Sequence, residues 1–285
     1  MRTGILTDAY FGVEDYKEGM QKIKKHGYDC LDFRGLSSED CALFQLSDEA
    51  LESYLREVAA YAKGLGLEIF QMHGLWPTCG DTTEEGRAKN LYYFKKEMDC
   101  AVWLGCPRLV VHPRMAWGWK QGTQEQMFED NVRFLRELLP YAKEKGVMLC
   151  LENMPFEDGV AFASAKELKR VIEEINDPLV KICLDTGHHN STKEDLYETI
   201  LLFGADLEAL HVHDDRYGQD RHLIPFQGQI NWDKFINGLR DISFKGCISL
   251  ETAIQPLTPE PIKEQFQMAQ ANLARWFADQ LEKTF

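Results

Sequence analysis

The sequence predicts an α/β fold, a single (β/α)8 TIM barrel with a parallel eight-stranded barrel inside a ring of helices. Three observations predict it. Short apolar runs alternate with amphipathic stretches from one end of the chain to the other, and eight such units can be counted. The runs are near-continuously apolar, as strands of a sheet covered by helices must be. No G-x-G-x-x-G follows any of them, which disfavours an open, doubly wound dinucleotide-binding sheet.

In chain order the expected strands are "RTGILTD" (2–8), "YDCLDFR" (28–34), "LEIFQMHG" (67–74), "RLVVHP" (108–113), "VMLCLEN" (147–153), "VKICLDTG" (180–187), "LEALHVHD" (207–214) and "GCISLET" (246–252). Helical spacing runs through 14–27, 48–66, 89–105 and 129–146. These four stretches end on Gly27, Gly66, Gly105 and Gly146, where a helix terminus calls for a positive φ. "TPEPIKEQF" (258–266) reads as a proline-marked helix start. No Pro/Gly/Ser-rich linker interrupts the series, so one domain spanning 1–285 is expected.

Composition narrows the function. The chain has 285 residues, 44% of them hydrophobic and 27% charged, enough apolar material for a large core. A net charge of -14 opposes generic attraction to nucleic acid, whose binding rests on clustered Lys and Arg. It suits a carboxylate-built cation site and a small neutral substrate. No run approaches a membrane span, and the N-terminus lacks the apolar core of a secretory signal. None of the eight cysteines is spaced C-x-x-C and several fall inside strand-like runs, so a reduced cytoplasm is expected. A homo-oligomer is compatible with all of this.

Polar residues recur at one edge of the expected barrel: His73, His112, Glu152, Asp185, His188, His211 and Glu251 all sit at or just beyond strand C-termini. Catalytic groups of (β/α)8 barrels cluster at that edge. Each has a structural reading if taken singly. Asp185 can cap a helix, Glu152 can pair with a lysine, and His73 can be a half-buried loop histidine. Seven groups facing one cavity are another matter, because buried carboxylates need a cation or bonded partners to stay ionised.

The inferred minimal metal site is Glu152, Asp185, His211 and Glu251, one imidazole and three carboxylates leaving positions open for two substrate oxygens. This donor set suits a divalent cation, Mn2+ or Zn2+ first, with Co2+, Fe2+ or Mg2+ also accepted. Chelation of a hydroxy-ketone acidifies the C–H beside its carbonyl, so a metal-stabilised enediolate can form. Glu152 and Glu251 are the candidates to remove and return that proton.

The motifs "LENMPFEDG", "CLDTGHHN", "LHVHDD…DRH…PFQGQINW" and "SLETA" resemble the sugar phosphate isomerase/epimerase group of the xylose-isomerase-like barrel superfamily, in order over strands five to eight. The resemblance implies a metal-dependent isomerase or epimerase of a small carbohydrate: a keto-sugar, sugar phosphate or cyclitol. By that likeness the metal is held by Glu152, Asp185, His211 and Glu251, the two glutamates form the acid/base pair, and His188 contacts substrate hydroxyls. The epimerases of the group carry a sugar-holding arginine six residues after the strand-seven histidine. Here that position is Tyr217, with Arg216 and Arg221 out of register, which keeps a dehydratase or eliminase of a keto-sugar or cyclitol open.

A second branch of the superfamily, the endonuclease IV-type phosphodiester hydrolases with a multinuclear zinc site, has counterparts for its ligands at the same positions. His73, His112, His188, Asp220 and His222 are thereby candidates for substrate binding or for a second metal. The acidic balance stands against that branch. Trp76, Trp117 and Trp119 lie in loops after strands three and four, where they can wall a substrate pocket or pack at a subunit contact. Glu157 reads as a turn residue that can support the site. His213 and Asp214 are expected to support His211, and His26 and His189 to be surface residues.

Overall fold

The computed structural model describes residues 1–283 apart from 13–14, 35, 37, 39, 77–81, 116–121, 157–161 and 217–218. Trp117, Trp119, Glu157, Tyr217 and Cys79 therefore lie outside the described residues.

All eight expected strands form: β1 Arg2–Leu6, β2 Cys30–Phe33, β3 Glu68–His73, β4 Arg108–Val111, β5 Met148–Glu152, β6 Val180–Asp185, β7 Leu207–His211 and β8 Cys247–Leu250. Neighbours pair in parallel in the order β7-β6-β5-β4-β3-β2-β1-β8. The sheet closes where Val212, just beyond β7, bridges Leu250 of β8. There the Val212 N–H donates to the Ser249 carbonyl at 2.8 Å and the Glu251 N–H to the Val212 carbonyl at 3.1 Å.

The helices are α1 Tyr16–His26, α2 Asp48–Gly64, α3 Glu84–Leu104, α4 Gln124–Lys145, α5 Ala165–Ile175, α6 Thr186–Thr192, α7 Leu196–Phe203, α8 Trp232–Asp241 and α9 Glu260–Glu282. The four expected stop glycines have φ of 97°, 68°, 69° and 67°. α3 and α4 start five residues before their apolar periodicity does. Thr83 and Thr123 cap them, Thr123 in a reciprocal box with Gln126, and the polar first turns carry no apolar stripe for periodicity to register. Among the described residues no helix is long and apolar enough to cross a membrane.

Alternation along the strands sorts side chains into two compartments. Leu149, Leu151, Ile182, Leu184, Leu210, Ile248 and Leu250 face the helices and join the main core. Mostly small residues face the barrel axis: Val110, Cys150, Cys183 and Ala209 form one cluster, and Cys30 and Cys247 form another around the larger Phe70. Two residues beyond these axial positions, on the same face, stand Asp32, His112, Glu152, Asp185 and His211. The parity that fills the barrel with small groups thus lifts polar groups to its C-terminal mouth.

Two irregularities refine this pattern. Leu31 pairs with Ile69 but Asp32 with Gln71, so Phe70 is an extra residue on β3. Such a bulge turns consecutive side chains to one face. Phe70 fills the axis, and Gln71 Nε2 donates to Asp32 Oδ2 at 2.7 Å and to the Leu210 carbonyl at 3.2 Å. A second shift, between β6 and β7, makes Glu208 the extra residue. Glu208 meets Arg108 at 2.9 Å, and the Arg108 guanidinium lies 4.0 Å from the Phe70 ring centre, against the end of the barrel opposite the mouth.

Candidate active site

The ends of β5, β6 and β7 and the residue after β8 place Glu152, Asp185, His211 and Glu251 around one point. Each offers a ligand atom, all within 4.8 Å of one another, and all four side chains are buried. His211 Nδ1 lies 3.1 Å from Glu152 Oε1 and 2.9 Å from Glu251 Oε2. Glu152 Oε2, Glu251 Oε2 and His211 Nδ1 have no hydrogen-bond partner although each is inaccessible to water. Unsatisfied carboxylate oxygens cost free energy when buried, and a dication at their convergence removes that cost. The donor set fits such an ion.

Asp185 also does what its structural reading supposed. Its Oδ1 accepts from the His188 N–H at 2.7 Å as the N-cap of α6, leaving Oδ2 to face His213 Nε2 at 2.9 Å. The backbone of Asp185 is clamped by the Asn153 side chain, whose Oδ1 accepts from the Asp185 N–H (2.8 Å) while its Nδ2 donates to the Asp185 carbonyl (3.0 Å). Gly187 admits the His213 ring: a Cβ there would fall 1.9 Å from His213 Cε1.

Three further histidines are oriented by the main chain. Nδ1 of His73 is 2.9 Å from the Gly74 carbonyl, that of His188 2.9 Å from the Asn153 carbonyl, and that of His222 2.9 Å from the Glu251 carbonyl. A carbonyl only accepts, so each Nδ1 carries the proton and each Nε2 is left to face the pocket. His73 Nε2 is 3.6 Å from Glu251 Oε1, and the His188 and His222 Nε2 atoms are each 3.4 Å from Asp220 Oδ1. Asp220 and His222 both have positive φ, 37° and 48°, in a tight D-x-H turn that brings the two side chains together. His112 Nε2 lies 3.3 Å from Glu152 Oε2.

Electrostatics follow from this packing. Burial pushes the His112 pKa down to about 3 against the pull of Glu152, so this ring is neutral. Burial would raise the Glu152 carboxyl, but the His211 ring beside it holds it down to about 2. Glu251 is likewise held well below its usual range, its burial outweighed by His211, His73 and His222.

A cavity of about 180 Å³ opens onto these groups, walled by Trp76, Met154, Arg34 and the imidazoles. The Trp76 ring is 4.7 Å from that of His112. Asp32, Arg34 and Asn153 are additions to the site that the strand-end histidines and carboxylates had not led to. Asp32 and Arg34 occupy the same edge, in "CLDFR" at the end of β2, and applying the strand-end criterion to that run finds them.

Three supporting expectations need correction. Asp214 turns away from His211 and gathers the following loop, accepting from the N–H groups of Phe226, Gln229 and Ile230 and from Trp232 Nε1. His189 is buried, with Nε2 2.9 Å from the Thr199 hydroxyl, because α6 packs over α7. The His26 side chain is 1% exposed, with Nδ1 2.8 Å from the Tyr10 hydroxyl.

Comparison with known proteins identifies the barrel's family. A family model described as a xylose isomerase-like TIM barrel matches residues 20–273. The chain belongs to that family. Among relatives of this xylose isomerase-like barrel, a D-psicose 3-epimerase of Enterocloster bolteae is 29% identical over 266 residues, covering 88% of this chain and 82% of the relative. A probable endonuclease 4 of Campylobacter concisus is 28% identical over 237 residues, 77% of this chain and 82% of the relative. In fold the barrel is similar to the crystal structure of the IolI protein with a bound zinc atom, with a TM-score of 0.79, 19% identity and coverage of 100% and 99%.

Proposed function

We propose that this xylose isomerase-like barrel is a divalent-metal-dependent isomerase or epimerase of a small carbohydrate: a keto-sugar, sugar phosphate or cyclitol. The observation that carries the reading is the convergence of Glu152, Asp185, His211 and Glu251 with buried, unpartnered oxygens. Its likeness to a D-psicose 3-epimerase supports the substrate class.

Glu152, Asp185, His211 and Glu251 would hold the ion, Mn2+ or Zn2+ by their mixed carboxylate and imidazole chemistry. When bound, a dication polarises a substrate carbonyl and acidifies the adjacent C–H. Glu152 and Glu251 both approach His211 Nδ1, at 3.1 and 2.9 Å, and in this reading one takes the proton from carbon and the other returns a proton to it. His188, its Nδ1 tied to the Asn153 carbonyl, presents Nε2 to a substrate hydroxyl. Trp76 walls the pocket and excludes water.

The test is deuterium entry from D2O into D-psicose incubated with the Mn2+-loaded protein. Exchange is expected, and Glu251→Gln should lower it by about 10²- to 10⁴-fold at saturating metal with the fold intact. Full exchange in that variant would remove Glu251 from the acid/base role. Loss of water from the product would instead assign a dehydratase or eliminase, which begins with the same proton abstraction.

A second reading rests on a specific observation. Beside the central four, His73 groups with Glu152 and His211, His188 with Asp185 and His213, and Asp220 and His222 with His213, each set bringing its ligand atoms together. That is room for a multinuclear zinc site of the endonuclease IV kind, and a relative of that name matches. Against it stands the net charge of -14. Three tightly bound zinc ions and incision of abasic-site DNA would establish it, whereas one ion and no incision would exclude it.

A further inference from the structure

Asn90, Phe94, Glu97, Ala101 and Leu104, spaced three or four apart on α3, are all buried and share one face of the helix. Asn90 ties that face to the loop after β4, its Oδ1 accepting from Arg114 Nε at 3.0 Å. Glu97 is wholly buried, and neither of its oxygens makes a hydrogen bond of ordinary geometry among the described residues. A leucine here would fill the space without the cost of dehydrating a carboxyl, so the group calls for a reason.

What faces Glu97 is the start of the loop after β3. Gly74 is pinched there: its N–H donates to the Val110 carbonyl of β4 at 2.9 Å, and a Cβ on it would fall 2.5 Å from that oxygen and 3.5 Å from Glu97 Oε2. Burial pushes the Glu97 carboxyl well above its usual range, with the Leu75 N–H pulling the other way. Glu97 thus stands as a neutral acid against the peptide group that joins Gly74 to Leu75. The carbonyl of that same peptide is the one His73 Nδ1 meets at 2.9 Å. In a planar trans peptide the N–H and the C=O point opposite ways, so a group set against the N–H fixes the direction of the carbonyl. The His73 ring in turn stacks on His211, 5.1 Å between centres and 8° from parallel, and its Nε2 is 3.6 Å from Glu251 Oε1.

We propose that Glu97 is a positioning residue for the mouth: from α3, through the one peptide group between Gly74 and Leu75, it sets the ring of His73 against His211 and Glu251. Glu97 itself touches neither ion nor substrate. Its hold on His73 stands on this geometry, while its effect on turnover rests on the isomerase or epimerase reading above.

The test compares Glu97→Gln, Glu97→Met and Glu97→Asp in the full chain supplied with Zn2+, a diamagnetic ion. Gln keeps an oxygen at the same reach, Met keeps the length without one, and Asp withdraws the acid by a methylene. The readout is the His73 Nδ1–H resonance in proton–nitrogen correlation spectra, assigned by its loss in His73→Gln, with urea unfolding measured alongside. Solvent exchange of that proton should be as slow in Glu97→Gln as in the unchanged protein. It should be about tenfold faster in Glu97→Met and Glu97→Asp, the effect of one net hydrogen bond, and either variant suffices if the other fails to fold. Deuterium entry into D-psicose should fall by a like factor in those two and be restored in Glu97→Gln. A proton equally protected in every variant, or one not protected in the unchanged protein, would overturn the proposal. So would an equal loss in all three variants with lowered urea midpoints, which marks packing alone. Faster exchange of the His73 proton with no deuterium entry in any protein would uphold the positioning role and reject the isomerase or epimerase reading. Undiminished deuterium entry with the proton unmoved would do the reverse.

Discussion

His211 Nε2 lies 3.1 Å from Oδ2 of Asp32, with both side chains wholly buried, so a residue of β7 is held by one of β2 across the barrel. With the proton drawn toward the carboxylate on Nε2, Nδ1 would be the nitrogen that meets an ion. Removing such a partner typically weakens metal affinity about 10- to 100-fold. Asp32→Asn keeps an oxygen for Nε2–H and so should fold, yet it should lose affinity in that range in a competition titration against a chromophoric chelator. Unchanged affinity would mean that the contact is structural only.

Metal loading should also be visible as stability. An ion that binds only the native state adds about 2.7 kcal/mol at a hundredfold excess over its Kd. Mn2+ or Zn2+ should therefore raise the denaturation midpoint of chelator-treated protein, and His211→Ala should cancel most of the rise.

Gly187→Ala should destabilise the protein by about 1–3 kcal/mol, the usual cost of overpacking, because His213 must move to admit the methyl group. Urea unfolding measures the loss. Displacing His213 also frees Asp185 Oδ2, so weaker metal binding should accompany it.

Asn153→Ala should cost more than an ordinary side-chain truncation. It leaves the N–H and C=O of Asp185 without their partners, and each buried, unsatisfied group costs about 1–3 kcal/mol. Asn153→Leu, closer in volume, should be as damaging if the hydrogen bonds rather than the packing matter.

His26 supplies a pH dependence away from the site. It ends α1, where the helix dipole favours a charged ring, but burial pushes its pKa below the ordinary 6.5, with Lys25 and Lys22 adding to the effect and Glu264 opposing it. A folded pKa below the unfolded one means that the contribution is complete above pH 6.5 and is lost as the pH falls below it. Stability should decline from pH 6.5 toward 5, and His26→Gln should flatten that limb in unfolding measurements.

Much of the fold and part of the site were legible because both rest on period two. An apolar run that ends on a polar residue two positions past a cysteine, as in Cys150 and Glu152 or Cys183 and Asp185, announces strand, parity and mouth together. The Asp32–His211 contact was not legible. It joins strands distant in sequence, and Asp32 meets Gln71 only through the bulge at Phe70, which periodicity does not encode. The burial of His26 and His189 was missed for a related reason: it comes from contacts with other segments, Tyr10 for His26 and Thr199 of α7 for His189.

The hydrogen bonds from His73, His188 and His222 to main-chain carbonyls carry a consequence for descent. An anchor made by a peptide group survives any replacement of the side chain attached to it. Substitutions around the mouth can accumulate, and loops can be exchanged for others that read different sugars, without turning the imidazoles out of position. Such a barrel can drift far in sequence and change its clientele while keeping its ion-holding mouth, and the heritable requirement reduces to the histidines themselves and the path of the chain.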